Sequence, residues 1–546
     1  MKHPFPASTL LCAALLLAAG TQTAARAEVV CTGNCTSTGA DLNVGNTGGG
    51  EGSLSVNGGS MLSFGGGGAI GAFGSQNPGG ITRGTLLVDG MGSRIATGGV
   101  SNSQFWVGSD GGTGSMTLSN GAVLSVDAFN NPGGFGDARL YVGRNGTGDV
   151  RILSGASVIV RDTGSFGADD DIMIGRGGND FEGHGSVLVS GGSLALSGNS
   201  AYLNVGRANI SGDGPLHGDG LLRIDSGGTV TIDGQDSEAG LHIARGDNSS
   251  GRIEIVGGGS RLDMRGAYTT AWIANDWYAL PGAHNSTGVA QLYVGQQGVL
   301  NLKSEPVPAG QLRTDMHIGY GLGSAEVLVD SGGRIELANG LKISSDGSTG
   351  ERKQFGHLTI NDTGVVSAGA YTFIGNGDAS RISGVLSGTG TLVSPRVELR
   401  NGGEIAPGNS PGTLHIQGDL KVVGGVLELQ VAGAGAGEHD VLDVSGALSF
   451  TGGTIELSFI DGYLPRSGDS FSLINAASLT GLDLASISFT GLAQGFQYAV
   501  DPSGGMFTVL ALNDAAPVPE PQTLALLLAG LGLAVLRLST RHTRNS

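Results

Sequence analysis

Three places in this chain gather side chains that could do chemistry. Asp169, Asp170 and Asp171 run together, and Gly177-Gly-Asn-Asp180 follows them. Clustered carboxylates bind hard cations through oxygen. Gly-Gly-Asn-Asp is half of a calcium-binding nonapeptide turn, but that turn works by tandem repetition and here it stands once. Solvated loop charge is therefore the favoured reading, incidental calcium is the alternative, and no cofactor is required. Trp272, Trp277 and Tyr278 form an aromatic cluster whose faces could stack on sugars. Trp272 takes the place of a repeat leucine and is expected to face the core. Trp277 and Tyr278 sit on an inserted loop and are the candidate ligand contacts. Cys31 and Cys35 lie close in sequence and could pair after export, tying down a fraying end. Without a neighbouring histidine, a metal site there is the weaker reading.

Catalytic constellations are missing from the sequence. There is no Gly-x-Ser-x-Gly on a strand-turn-helix, no His-Glu-x-x-His and no phosphate loop. His184, His217 and His284 fall in expected loops, while His242 and His317 occupy repeat strand positions; each reads as a surface or edge residue. A lyase or hydrolase would need clustered carboxylates, or basic residues beside calcium, on one strand face. Here only groups from sequence-distant segments could supply such a cluster. The net charge of -18 repels phosphate backbones and argues against nucleic-acid binding. A dedicated carbohydrate-binding module would carry more than the 5% aromatic residues found.

The elements that must position these groups are β-strands. Of 546 residues, 103 are glycine, which disfavours long helices. Between the two ends a pattern recurs: apolar-x-Val-Gly, a Gly-rich turn, an alternating strand, Ser-Gly-Gly or Gly-Ala, then a second alternating strand. Leu140-Tyr-Val-Gly143, Ile172-Met-Ile-Gly175 and Leu203-Asn-Val-Gly206 open three copies. Further copies begin near Leu42, Trp106, His242, His317 and Phe373, and the lines at Trp272 and Leu341 read as degenerate. A spacing of roughly 30 to 38 residues is that of a solenoid, in which stacked coils bury a column no single repeat could bury. The expected fold is all-β: an elongated right-handed parallel β-helix from about residue 40 to about 420, with an all-β C-terminal cap.

Both ends read as addresses. Residues 1–27 carry Lys2 and His3, an apolar run from Leu10 to Ala19, and Ala25-Arg26-Ala27, a signal peptide that would be cut between Ala27 and Glu28. At the other end, residues 513–546 hold a polar spacer with Pro519-Glu520-Pro521. A Leu-rich run follows, read as a short terminal transmembrane helix, and then Arg537, Arg541 and Arg544. Basic residues beyond the span place the tail in the cytoplasm and the body outside.

This three-part terminus resembles the PEP-CTERM sorting signal of Gram-negative bacteria. The resemblance implies recognition by exosortase, cutting near Pro519-Glu520-Pro521, transient anchoring in the inner membrane, and a place at the cell surface or outside the cell. The family is associated with exopolysaccharide and biofilms. Residues 381–512 change character, and Ala406-Pro-Gly-Asn-Ser-Pro-Gly-Thr-Leu414 resembles the passenger-associated β-helix end of autotransporters. The upstream repeats of residues 28–380 resemble those of autotransporter passengers. After Leu512 too little chain remains for a membrane barrel, so export would rely on other machinery. Together these readings lead us to expect an exported structural or adhesive surface protein that catalyses nothing. Its expected partners are exosortase, the membrane before processing and a cell-surface polysaccharide. The alternative is a β-helix polysaccharide-degrading enzyme or a carbohydrate-binding protein.

Overall fold

The alternation of apolar and polar residues decides where each strand faces. In Thr147–Leu153, Gly148, Val150 and Ile152 are buried, whereas Asp149 and Arg151 point outward. Short Val/Leu/Ile strands of this kind bury one face only and need a neighbour above and below. A computed structural model shows how they find it. It describes residues 27–37, 41–45, 50–72, 82–98, 102–128, 137–162, 170–178, 181–208, 217–246, 248–275, 288–305, 313–320, 323–345, 355–409, 411–492 and 495–516.

The protein is a stack of parallel β-coils. As far as Tyr371–Ile374, each coil contributes one strand to each of three ladders. The first ladder runs from Glu51–Asn57 through Thr147–Leu153 and Ser324–Val329 to Ile487–Thr490. The second includes Val123–Ala128 and Ser157–Asp162, and the third Asp137–Arg144 and Asp170–Arg176. Equivalent residues stack in register. Leu86, Met116, Val150, Val187 and Leu222 form one unbroken column, all buried. Each such side chain contributes about 1.5–3 kcal/mol on leaving water. The coils at Trp272 and Leu341, degenerate in sequence, both join the parallel stack, the Leu341 coil with a register shift between Thr314 and Met316.

Coil length changes along the stack. Thr113 pairs with Thr147, but Gly384 pairs with Gly403, so a turn of the chain shortens from thirty-four residues to nineteen. The cause lies in Thr391–Leu399, one strand that pairs with the second ladder through Thr391–Val393 and with the third through Val397–Leu399. The register slips between Val393 and Arg396, around Pro395, which cannot donate to a ladder. A bend therefore replaces a corner, and later coils have two strands. Parallel pairing continues beyond residue 420, as far as Thr490.

The chain reverses direction at both ends. Glu28–Gly33 pairs antiparallel with Glu51–Asn57, and Cys31 is disulfide-bonded to Cys35. Near the C-terminus, Met506–Ala511 pairs antiparallel with both Ser470–Thr480 and Tyr498–Asp501. Phe459, Phe471 and Phe489 pack there, with Phe459 edge-on to Phe471 at 5.9 Å. Among the described residues no helix is long and apolar enough to cross a membrane. The expected terminal segment lies outside those residues, as do residues 1–26, Pro519, Glu520, Pro521, Arg537, Arg541 and Arg544.

Candidate functional site

The corner that closes the third-ladder strands takes a positive φ, with glycine in most coils and Ala244, Ala274 or Ser344 in the others. Its glycine, Gly143 in one coil, has φ of 70°. A Cβ at Gly143 would overlap the carbonyl oxygen of His184, so two backbones meet where no side chain fits. The residue after this corner is arginine in four successive coils: Arg144, Arg176, Arg207 and Arg245. Parallel pairing puts all four in register. In-register strands lie about 4.8 Å apart, so the side chains rise as a ladder.

An aromatic and polar column runs beside that ladder: Trp106, Tyr141, Met173, Asn204, His242, Trp272 and His317, each paired with the next. Arg144 lies over Trp106 at 5.5 Å and over Tyr141 at 5.3 Å, close enough for cation–π attraction. Arg176 donates to the sulfur of Met173 at 3.7 Å. Burial lowers the Arg176 guanidinium below its ordinary value; Arg144 and Arg139 push the same way, while Tyr141 and Asp171 oppose. Burial likewise pushes Arg207 down to about 10, with Arg245 and Arg176 adding to the shift.

Several sequence expectations change here. Asp171 is buried within a strand and accepts a hydrogen bond from Asn204 at 3.2 Å; it is not solvated loop charge. His242 and His317 are buried rather than exposed at an edge. Burial drives His242 well below its ordinary value, helped by Arg245 and Arg207. His317 falls to about 3, mainly through burial and then through Lys342. Trp272 points outward and is half-buried, because Ala271 and Ile273 take the two core positions. It stacks on His317 with ring centroids 4.0 Å apart. Trp277, Tyr278, Asp169, Asp180 and His284 lie outside the described residues.

Other groups converge on the first ladder. His184 is in a strand, not a loop, and its ring lies 6.2 Å from that of His217. Among the described residues no group of three His, Cys, Asp or Glu is placed to hold a metal. An open groove crosses the coils at Arg252, Tyr293, Glu326 and His357. Tyr293 donates to Asp330 at 2.9 Å; burial, then that carboxylate, raises its hydroxyl to about 12. His357 Nε2 lies 2.8 Å from Ser387 Oγ and 3.2 Å from Thr359 Oγ1. Glu326 is its register neighbour; burial lowers the imidazole below its ordinary value and Glu326 opposes that shift.

Two carboxylates escaped the sequence reading because they sit in ordinary strand alternation or a turn. Glu404 rises to about 7, chiefly through burial and then through Glu428 and Glu456 on the following coils. Asp440 is buried and accepts backbone N–H bonds from Gly412 at 2.9 Å and Gln430 at 2.8 Å. Burial raises it to about 6 against those bonds. It clamps the turn that ends the 406–414 segment.

Comparison with known proteins adds the address. Residues 517–544 match the PEP-CTERM protein-sorting motif. This marks the chain as an exported, envelope-associated protein of the Gram-negative type, sorted by exosortase. No curated protein matches the chain.

Proposed function

We propose that this protein is a non-enzymatic structural or adhesive component of the bacterial surface that associates with exopolysaccharide in a biofilm. The carrying observation is the stack of parallel coils with long, repetitive outward faces, joined to a sorting terminus. Such faces suit extended polymers, since each coil offers the same positions at a regular rise. The chain would be cut after Ala27 and near Pro519-Glu520-Pro521, leaving the membrane after transient anchoring. The likeness of the repeats to autotransporter passengers supports the same reading.

Incubating the purified protein with the producer's own exopolysaccharide tests it. Co-sedimentation without release of reducing ends is the expected result; no association would overturn it. A second reading, a polysaccharide-degrading enzyme, draws on the Glu404, Glu428 and Glu456 cluster, where a carboxyl held near neutrality could act as general acid. Depolymerisation that disappears in Glu404→Gln would establish that reading instead.

A further inference from the structure

We propose that the ladder Arg144, Arg176, Arg207 and Arg245 binds an acidic polysaccharide laid along the axis of the coils. This rests on the surface reading above and names the site and the ligand class within it. Like charges placed directly opposite one another across a ladder oppose strand pairing. Several arginines elsewhere are offset by a carboxylate, although Arg265 stands opposite Lys303 and Glu428 opposite Glu456. Arg151 pairs with Asp149 at 3.0 Å, Arg161 with Asp127 at 3.0 Å, and Arg223 with Glu254 at 2.6 Å. In the third ladder the same outward position is arginine on four coils running, in a chain of net charge -18. Arg207 closes no carboxylate ion pair among the described residues, and Arg144 and Arg176 turn to aromatic rings and a thioether.

A column of cations that opposes its own fold is what an anionic ligand would relieve. The guanidinium fork matches carboxylate and sulfate groups bidentately. A linear polymer of uronic acids carries one carboxylate per sugar, so a chain parallel to the axis meets a fresh arginine at each coil. Trp106, partly exposed and lying against Arg144, offers apolar ring surface to the same sugars, while Tyr141 beneath is buried. Nucleic acid fits less well, because the stripe is one arginine wide and the rest of the protein repels a phosphate backbone.

The experiment measures binding of the full chain, held in detergent, to polygalacturonate, with dextran and duplex DNA as comparators. Wild type should bind polygalacturonate, more weakly as salt rises, and leave dextran free. Arg176→Gln/Arg207→Gln should weaken binding at least tenfold and flatten the salt dependence. Its melting temperature should hold or rise, since repulsion is removed, which separates lost binding from lost fold. Single Arg207→Gln should fall between, and Arg151→Gln, outside the ladder, should bind as wild type. Absence of wild-type binding, unchanged binding by the double variant, or DNA bound as well as polygalacturonate would each overturn the proposal. If the producer's exopolysaccharide is held equally by wild type and double variant, the surface reading stands and the ladder falls. If polygalacturonate binding depends on the ladder but that exopolysaccharide is ignored, the ladder stands and the surface reading falls.

Discussion

The indole of Trp272 lies flat on the imidazole of His317, with planes 9° apart, and Tyr320 closes edge-on against Trp272 at 4.6 Å. The two stacked residues belong to adjacent coils and meet because the ladder pairs them directly. Burial under this stack is what keeps the imidazole neutral.

That neutrality has a pH signature. His317 titrates near 3 when folded and near its ordinary 6.5 when unfolded. As pH falls, the unfolded chain takes up the proton first, so stability is complete above about 6.5 and is lost progressively toward 3. His242 adds in the same direction. Denaturant melts at pH 7, 5 and 4 should show the decline, and His317→Phe should make it shallower.

Glu404 acts with the opposite sign. It titrates near 7 when folded against an ordinary 4.5. The folded protein holds this proton longer, so the contribution is greatest below about 4.5 and fades as pH rises through 7. Glu404→Gln should remove that dependence and stabilise the protein at pH 8 by about 1–3 kcal/mol. An unchanged melting temperature at pH 8 would contradict the burial described.

The corner glycine tests the close approach of coils. Gly143→Val forces a branched side chain into a left-handed backbone against the His184 carbonyl. A loss of more than about 3 kcal/mol is expected, seen as a lower denaturant midpoint. Ala244, at the equivalent corner with φ of 53°, already carries a Cβ, so Ala244→Gly should cost far less.

Processing is open to intact-mass measurement. The protein recovered from the producer's surface should begin at Glu28 and lack Arg537, Arg541 and Arg544. Their retention would reduce the tail to a plain anchor.

Much of the fold was legible because the repeat writes it twice, as alternation within strands and as glycine at corners. Leu140-Tyr-Val-Gly143 marks a strand and its turn without any structure. The candidate site was hidden one residue further on. The arginines after the corners at Gly143, Gly175, Gly206 and Ala244 are visible in sequence, yet a lone Arg144 means little until register sets it over Arg176. Trp272 was misplaced for a related reason: the apolar positions on either side, Ala271 and Ile273, are the ones that face inward. Asp171 looked like loop charge because two more aspartates precede it, and only strand pairing shows that it is buried. Glu404 could not be found from neighbours in sequence, since Glu428 and Glu456 reach it through successive coils.

The reversed strands at the two ends carry one more consequence. A parallel coil presents an edge that a second molecule could extend, and stacking has no inherent stopping point. Antiparallel Glu28–Gly33 breaks that templating at the start of the first ladder, and Met506–Ala511 breaks it at the far end of the joined second and third ladders. Among the described residues the first ladder has sixteen strands and, at about 4.8 Å per step, spans about 70 Å. A reversed strand at each end turns the stack away from seeding fibres, and a polymer of the proposed kind would be measured out in whole coils.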